Sequence, residues 1–413
     1  MGGAIAAIAW QSKLRHYLFF IEEWDIICYF LFQGKGGSKV IIGVPAEIKK
    51  GERRVGLMPE GAAELVRLGH TVLVEKGAGL QGGFADGLYI DAGAGIAPDA
   101  RAVFGRSGLI VKVKEPLPLE YGLLRPGQAL FTFLHLASNP GLAGALAGAG
   151  VSALAYETLE DAGGLPLLAP MSEIAGRMAP LMGAFYLQAP RGGSGVFAAG
   201  AVGVAQARCL ILGAGTAGAN AARVASAIGM DTSVLNITRE GLRRIDETFS
   251  GRIKTLLLTE AALLRALREA DVVIGAALVP GARTPVLITR PMLGTMKRGS
   301  VLVDISIDQG GTADTSRPTT LDEPVYEVDG IIHYCVANMP SAYPRTSTQA
   351  LANATLPYVK ALAESGVEAG VEKSAPLRSA LNVYRGKVVH PALARSLGAE
   401  PANINGLVST KPF

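Results

Sequence analysis

Three ionisable side chains follow apolar runs typical of buried strands, and together they could transfer protons on a small polar substrate. Lys114 stands in "VKVKEP", His135 ends "FTFLH", and Asp308 lies in "VDISIDQGG". An ammonium can bind a carboxylate or polarise a carbonyl group. An imidazole exchanges protons near neutral pH, and a carboxylate can orient a water molecule or an amine.

Each of these side chains also has a structural interpretation. His135 can be a satisfied structural histidine, and Asp308 can be a turn or N-cap residue. A strand that ends at Pro116 would carry Lys112 and Lys114 on one face, because side chains alternate along a strand. The sequence alone leaves the functional and the structural interpretations open.

A glycine-rich turn between two apolar runs has the residue types of a dinucleotide-binding site. In "CLILGAGTAGANAAR", Gly213, Gly215 and Gly218 follow a predicted strand and open a predicted helix. Gly213 permits a tight turn, Gly215 lets the backbone approach a pyrophosphate, and Gly218 lets the helix pack closely on the strand. The first amides of the helix then face the anion. The motif therefore predicts a bound dinucleotide.

The second apolar run ends in an amide where a carboxylate is expected. "DTSVLNITRE" places Asn236 at the position that usually holds an acid bonded to the adenosine ribose. Asparagine accepts such a bond but does not repel a 2′-phosphate, which Arg239 could bind. Arg239 is alternatively a solvated residue of a helix that also carries Arg243 and Arg244. The residues alone leave open whether the cofactor is NAD, NADP or either of the two.

The elements that must position these groups form two series of alternating strands and helices. The first begins at Val40 and the second near Pro170, and the alternation predicts an α/β fold with two Rossmann-like parallel-sheet domains. Two long helices, "MSEIAGRMAPLMGAFYLQ" and "STQALANATLPYVKALAESG", join them. Ligands of such sheets bind at the carboxyl ends of strands, so we expect the active site in the interdomain cleft. The predicted units are a substrate domain over 40–168, a nucleotide-binding domain over 169–344, and a return to the substrate domain over 345–413.

Composition narrows the class of protein. At 413 residues, with 49% hydrophobic and 18% charged residues, the chain is a globular protein with room for two cores. The net charge of +4 is small for this length, and the basic residues are scattered along the chain. Both features argue against nucleic-acid binding. Cys28, Cys209 and Cys335 are few and far apart, so we predict no disulfide framework and no metal site, as in a cytoplasmic protein.

Residues 1–39 differ from the rest of the chain. "LRHYLFFIEEWDIICYFLF" carries three acids at its centre, which argue against a membrane span, and it lacks the cleavage site of a signal peptide. Lys-Gly-Gly before Val40 is what a purine-rich ribosome-binding sequence encodes, and valine can be encoded by an alternative start codon. We interpret residues 1–39 as a non-native extension, with a genuine N-terminal extension as the alternative.

A set of motifs from about Val40 to near the C-terminus resembles the alanine dehydrogenase/transhydrogenase family. In chain order these motifs are "KVKEP", "FTFLHLA", "LLAPMSEIAGR", "ILGAGTAGANAAR", "VLVDISIDQGG", "SRPTT", "YCVANMP" and "PRTST". The resemblance implies reversible NAD-dependent oxidative deamination of L-alanine to pyruvate and ammonia by a cytoplasmic homohexamer. Asn236 departs from the aspartate usual in that family.

The resemblance also implies a role for each matching residue. Arg54 in "ERRVGL" and Lys114 would bind the substrate, and His135 would be the acid/base with Asp308 as its partner. Besides the glycine turn and Arg239, the implied cofactor contacts are Ser172, Thr216, Ala217, Asn236, Ala277, Leu278, Ile305, Ser306, Ile307, Asp308, Arg317, Val336, Ala337, Asn338 and Met339.

Two other functions remain open at this point. One is a non-catalytic NAD(H)-binding subunit of the transhydrogenase type, which would need no substrate lysine or histidine. Lys114 and His135 in their motifs argue against it. The other is a dehydrogenase for a different small amino acid, because the residues that shape the side-chain pocket cannot be identified from the sequence.

Overall fold

The structure is a computed structural model that describes residues 39–277 and 284–403. The predicted N-terminal extension, except Lys39, lies outside the described residues, and so does Leu278. Among the described helices, none has the length and apolar character needed to cross a membrane.

Short apolar runs form two sheets within the described residues. Most of these strands are buried on both faces, as expected for parallel strands covered by helices. The strands are β1 (Ile41–Val44), β2 (Thr71–Glu75), β3 (Gly95–Ala97), β4 (Leu109–Val111), β5 (Ala129–Thr132), β6 (Ser152–Ala155), β7 (Arg208–Leu212), β8 (Asp231–Asn236), β9 (Lys254–Leu257), β10 (Val272–Gly275), β11 (Val301–Asp304), β12 (Val325–Val328), β13 (Ile331–Tyr334), β14 (Leu381–Tyr384) and β15 (Lys387–Val388).

The first sheet has eight strands in the order β15-β14-β6-β5-β4-β1-β2-β3, and the second has seven in the order β12-β13-β11-β10-β7-β8-β9. The pairs from β1 to β6 are parallel, and so are those of the second sheet from β7 to β11, together with β11–β13. Antiparallel pairs occur at one edge of each sheet. The predicted pair of Rossmann-like, mainly parallel sheets is confirmed.

Helices cover both sheets and connect them. A helix over Ala169–Tyr186 leads into the second sheet, and another over Pro344–Lys373 leads back to the first, with a break at Gly366 (φ 72°, ψ 176°). The helices are α1 (Pro59–Arg67), α2 (Asp86–Asp91), α3 (Ala100–Arg106), α4 (Pro118–Tyr121), α5 (Pro140–Gly148), α6 (Ala169–Tyr186), α7 (Thr216–Ala227), α8 (Arg239–Phe249), α9 (Glu260–Glu269), α10 (Arg290–Leu293), α11 (Pro344–Lys373), α12 (Ala375–Ala380) and α13 (Pro391–Ser396).

The two strands that precede the predicted lysine and histidine are shorter than their apolar runs suggest. β4 ends at Val111, and beyond it the amide of Val113 donates to the Glu47 carboxylate at 2.6 Å. Lys112 and Lys114 therefore lie beyond the strand, where strict alternation does not apply. His135 likewise lies three residues beyond the end of β5.

Candidate active site

A cavity of about 610 Å³ lies between the two sheets. Its lining includes segments that follow β1, β4, β5 and β6 in the first sheet, and segments that follow β7, β8, β9, β10, β11 and β13 in the second. The carboxyl ends of both sets of parallel strands thus face one space. This is the arrangement in which α/β sheets bind ligands.

Most residues proposed from the sequence line this cavity. They are Arg54, Lys114, His135, Ser172, Gly213, Gly215, Thr216, Ala217, Asn236, Ala277, Ile305, Ser306, Asp308, Val336, Asn338 and Met339.

Five proposed residues do not line the cavity. Gly218 packs its helix against the carbonyl of Gly213, and Ile307 is buried in the loop after β11. The guanidinium of Arg317 stacks on Tyr326, 4.1 Å from the ring centroid. The other two are Ala337, whose amide bonds to Thr319, and Arg239, the exposed first residue of α8.

The glycine turn leaves room for a large anion. Gly213 has a φ of 114°, and an added Cβ there would lie 2.6 Å from the carbonyl oxygen of Ala276. At Gly215 an added Cβ would meet no atom within 4 Å, so the backbone is open to the cavity. Gly215 caps the 12-residue helix α7, whose first amides therefore face the same space. These residues fit the pyrophosphate of a dinucleotide.

Arg54 is held by a network that joins the two sheets. Its Nε donates to Glu52 Oε1 at 2.7 Å, and its Nη2 donates to Glu52 Oε2 at 2.5 Å and to Asn338 Oδ1 at 2.7 Å. Asn338 Nδ2 donates in turn to Glu52 Oε2 at 2.8 Å. Burial acts to raise the pKa of Glu52, but the hydrogen bonds and charge of Arg54 outweigh it and lower the pKa to about 2. Glu52 is therefore ionised at neutral pH.

The two lysines after β4 have different surroundings. Lys112 is fully buried and pairs with Glu120 at 2.8 Å and Glu47 at 3.4 Å, so it belongs to the interior and not to the cavity. Lys114 is 7% exposed and lines the cavity. Within the described residues its ammonium makes neither a hydrogen bond nor an ion pair. Burial lowers the pKa of Lys114, and the charge of Asp308 partly opposes this.

His135 has a backbone conformation that is uncommon for a residue with a side chain. Its φ of 49° and ψ of 41° are left-handed. The carboxylate of Glu157 accepts the amide of His135 at 2.6 Å and that of Leu134 at 3.2 Å. The imidazole stacks on Phe133 with ring centroids 5.8 Å apart. Glu157 thus fixes the turn that directs the imidazole toward the cavity.

Asp308 lies in a loop that is closed by a buried carboxylate. Asp304, at the end of β11, accepts the amide of Ser306 at 3.1 Å, the amide of Thr312 at 2.7 Å and the hydroxyl of Ser316 at 2.6 Å. Burial raises the pKa of Asp304, while the bond from Ser316 acts in the opposite direction. Asp308 lines the same cavity as Lys114, and its charge acts on the Lys114 ammonium.

The amide of Asn236 makes local hydrogen bonds. Its Oδ1 accepts the amide of Ala214 at 3.2 Å, and its Nδ2 donates to the hydroxyl of Thr238 at 2.9 Å and to the Thr238 carbonyl at 3.2 Å. Asn236 therefore ties the glycine turn to the start of α8. Arg244, on the same helix, lines the cavity as Asn236 does.

Glu52, Glu157 and Arg244 were not singled out from the sequence. Glu157 is 22 residues from the amide it binds, so no local pattern indicates its role. Glu52 stands two residues before Arg54, and that charge pair in "GERRVG" was the one available signal. In the sequence Arg244 is one of three arginines on one predicted helix, and nothing local distinguishes it from Arg239 and Arg243.

Comparison with known proteins places both halves of the chain in one family. The family model "Alanine dehydrogenase/PNT, N-terminal domain" matches residues 43–175, and "Alanine dehydrogenase/PNT, C-terminal domain" matches residues 179–391. The alanine dehydrogenase of Bacillus subtilis (strain 168) is 48% identical over 362 residues, covering 87% of this chain and 96% of that protein. That of Halomonas elongata is 49% identical over 368 residues, covering 89% and 99%.

Solved structures give the same result. An L-alanine dehydrogenase superposes with a TM-score of 0.83 at 45% identity, covering 87% of this chain and 99% of that one. A transhydrogenase from Sinorhizobium meliloti superposes with a TM-score of 0.72 at 26% identity, covering 85% and 99%. On the family models and the identity to these relatives, the chain belongs to the alanine dehydrogenase/PNT family.

Proposed function

We propose that this protein is an L-alanine dehydrogenase that catalyses the reversible NAD-dependent oxidative deamination of L-alanine to pyruvate and ammonia. The observation that carries the proposal is one cavity lined by Arg54, Lys114, His135, Asp308 and the glycine turn after β7. Cationic groups for a carboxylate, a proton-transfer pair and a dinucleotide cradle are the parts that this reaction needs.

The glycine turn and the start of α7 would hold the pyrophosphate, and the segments after β10, β11 and β13 would hold the nicotinamide half. When bound, the nicotinamide accepts hydride from the Cα of alanine.

We also propose the division into a substrate domain over 40–168 and 345–413 and a nucleotide domain over 169–344.

The side chains of the cavity have distinct proposed roles. Arg54 and Lys114 bind the substrate carboxylate and carbonyl oxygen as cations. His135 takes a proton from the amine as hydride leaves, and later moves protons to and from the water that hydrolyses the imine. Asp308 orients the reacting amine or water.

A direct assay tests this proposal. Purified protein with pyruvate, ammonium and NADH should oxidise NADH, and omission of ammonium should abolish the reaction. A non-catalytic NADH-binding subunit would bind NADH without this activity. If another 2-oxo acid supports a higher kcat/KM than pyruvate, the enzyme is a dehydrogenase for a different amino acid.

We propose a cytoplasmic homohexamer. Apart from the family resemblance, the support is apolar surface on the segment that follows α6, where Phe197, Val202 and Val204 are exposed. Subunit contacts would cover such surface. Light scattering on the eluting protein gives the subunit number, and a monomer would contradict the proposal.

NAD is the proposed working cofactor, with weaker rejection of NADP than in aspartate-bearing relatives. Asn236→Asp should lower kcat/KM with NADP by about tenfold or more, because a carboxylate repels the 2′-phosphate by several kcal/mol. The substituted carboxylate can still accept the amide of Ala214, so the turn should persist. The measurement is kcat/KM for alanine oxidation with each cofactor. Equal NADP/NAD ratios in both proteins would show that Asn236 does not face the ribose.

Glu157→Ala should lower kcat by about tenfold to a hundredfold, since a small displacement of a reacting group can cost that much. The physical reason is that the left-handed turn at His135 loses the acceptor of two amides. Glu157→Gln keeps an acceptor oxygen and should recover most of the rate. Glu160→Ala, at an exposed neighbour, is the matched control. A kcat within twofold of wild type for Glu157→Ala would remove Glu157 from the positioning of His135.

A further inference from the structure

The end of the cavity next to Asn236 has a distinct chemical character. It is formed by Asn236, Ile237, Arg244 and Leu258, which come from the end of β8, from α8 and from the segment after β9. The amide of Leu258 donates to the carbonyl of Asn236 at 2.9 Å, which joins the two strand ends. An adenosine ribose bound beside the glycine turn would lie against this group.

The geometry of α8 directs Arg244, and not its basic neighbours, to this end. Gly241 lies so close to Asn236 that an added Cβ would be 2.5 Å from the Asn236 Nδ2. Arg244 is three residues further on and so shares that face of the helix. Arg239 and Arg243 do not line the cavity.

Arg244 is available to a ligand. In the part of the chain that the structure describes, its side chain has no hydrogen bond and no ion pair. Among the described residues that line the cavity, Asp308 is the one acid, and its charge acts on Lys114 in the substrate region. The Asn236 end therefore combines a neutral amide with an unpaired guanidinium.

We propose that Arg244 is a 2′-phosphate-binding residue, so that this cavity accepts 2′-phosphorylated adenine dinucleotides as well as NAD(H). A guanidinium matches the geometry of phosphate oxygens with two parallel hydrogen bonds. The start of α8, capped by Thr238, adds a positive helix end near the same group. This inference rests on the proposed dinucleotide site and assigns its specificity to a residue that the family resemblance did not indicate.

The test is equilibrium binding without turnover. NADH and NADPH are titrated by nicotinamide fluorescence, and 5′-AMP and adenosine 2′,5′-bisphosphate by calorimetry, on the wild type, Arg244→Ala and Arg243→Ala. Arg243 is the matched control, because it is the same residue type on the same helix and does not line the cavity.

We expect Arg244→Ala to raise the Kd for NADPH and for adenosine 2′,5′-bisphosphate by about tenfold or more, as for loss of a charged hydrogen bond. The Kd for NADH and 5′-AMP should stay within twofold, and Arg243→Ala should change none of the four. The NADPH effect should shrink at high salt.

Equal effects of Arg244→Ala on NADH and NADPH, no effect on either, or the same effect from Arg243→Ala would each overturn the assignment. So would a wild type that binds NADH but shows no measurable NADPH binding. A protein that binds both cofactors yet does not aminate pyruvate would contradict the proposed function and leave the Arg244 assignment standing.

Discussion

Replacing His135 with alanine is expected to lower kcat for pyruvate amination by two or more orders of magnitude, the usual effect of removing a proton-transfer group. Asp308→Asn should have an effect of similar size, because it removes the charge beside the reacting amine. NADH binding, followed by fluorescence, should remain close to wild type, since neither residue belongs to the glycine turn.

Asp246→Asn serves as the control for Asp308→Asn, because Asp246 is exposed on α8 and does not line the cavity. It should leave kcat unchanged. Near-wild-type turnover in His135→Ala would move the acid/base role to another group. Loss of NADH binding in either variant would indicate a damaged fold, and would contradict the expectation that chemistry alone is affected.

Alanine variants of Lys114 and Arg54, the two cations proposed to bind the substrate, should differ in their effect on stability. Lys114→Ala should raise the KM for pyruvate by about tenfold to a hundredfold, the range for one charged hydrogen bond. Its melting temperature should fall less than that of Arg54→Ala, because the Lys114 ammonium makes no hydrogen bond or ion pair within the described residues. Arg54→Ala should raise KM as well, but it leaves the Glu52 carboxylate buried without its partner, which costs about 3–5 kcal/mol of unfolding free energy. Kinetics and thermal unfolding of both variants measure the contrast.

The pH dependence of pyruvate binding gives a second readout for Lys114. Burial lowers the pKa of Lys114 below its ordinary value of 10.5, so the ammonium is lost at lower pH than in an exposed lysine. The KM for pyruvate should therefore rise with pH in the alkaline range. In Lys114→Arg, whose guanidinium stays charged, this rise should disappear. If the rise survives in Lys114→Arg, or if KM is unchanged in both alanine variants, these cations do not bind the substrate.

The sequence was most informative where the signal is local. The glycine turn could be placed because strand, turn and helix are contiguous in "CLILGAGTAGANAAR". Lys114 and His135 could be brought together because the carboxyl ends of neighbouring parallel strands meet at one edge of a sheet. Asp308 joins them because the strands of the second sheet end at the same cleft. The two mainly parallel sheets followed from the alternation of apolar runs with helical segments.

What the sequence could not supply depends on contacts between distant residues. Asn338 is hydrogen-bonded to Glu52, from which it is separated by 286 positions in the sequence. No spacing rule predicts such a bond. The left-handed turn at His135 exists because Glu157 binds it from another strand end. β14 returns antiparallel to β6 after the long helix α11, and its apolar run gave no indication of which sheet it would join.

The bond network of Asn338 has a consequence for the order and strength of ligand binding. Asn338 follows β13 in the second sheet, whereas Glu52 and Arg54 follow β1 in the first. Opening the cleft would therefore break the two bonds between the Asn338 side chain and these residues. A ligand that binds first to an opened cleft would bear the free energy of closing it, and the second ligand would meet a cleft that is already closed. Thermodynamic reciprocity requires pyruvate to tighten NADH binding by the same factor by which NADH tightens pyruvate binding. NADH isotherms recorded with and without pyruvate, in the absence of ammonium, measure that factor, and a value of one would mean that the bonds of Asn338 do not link the two sites.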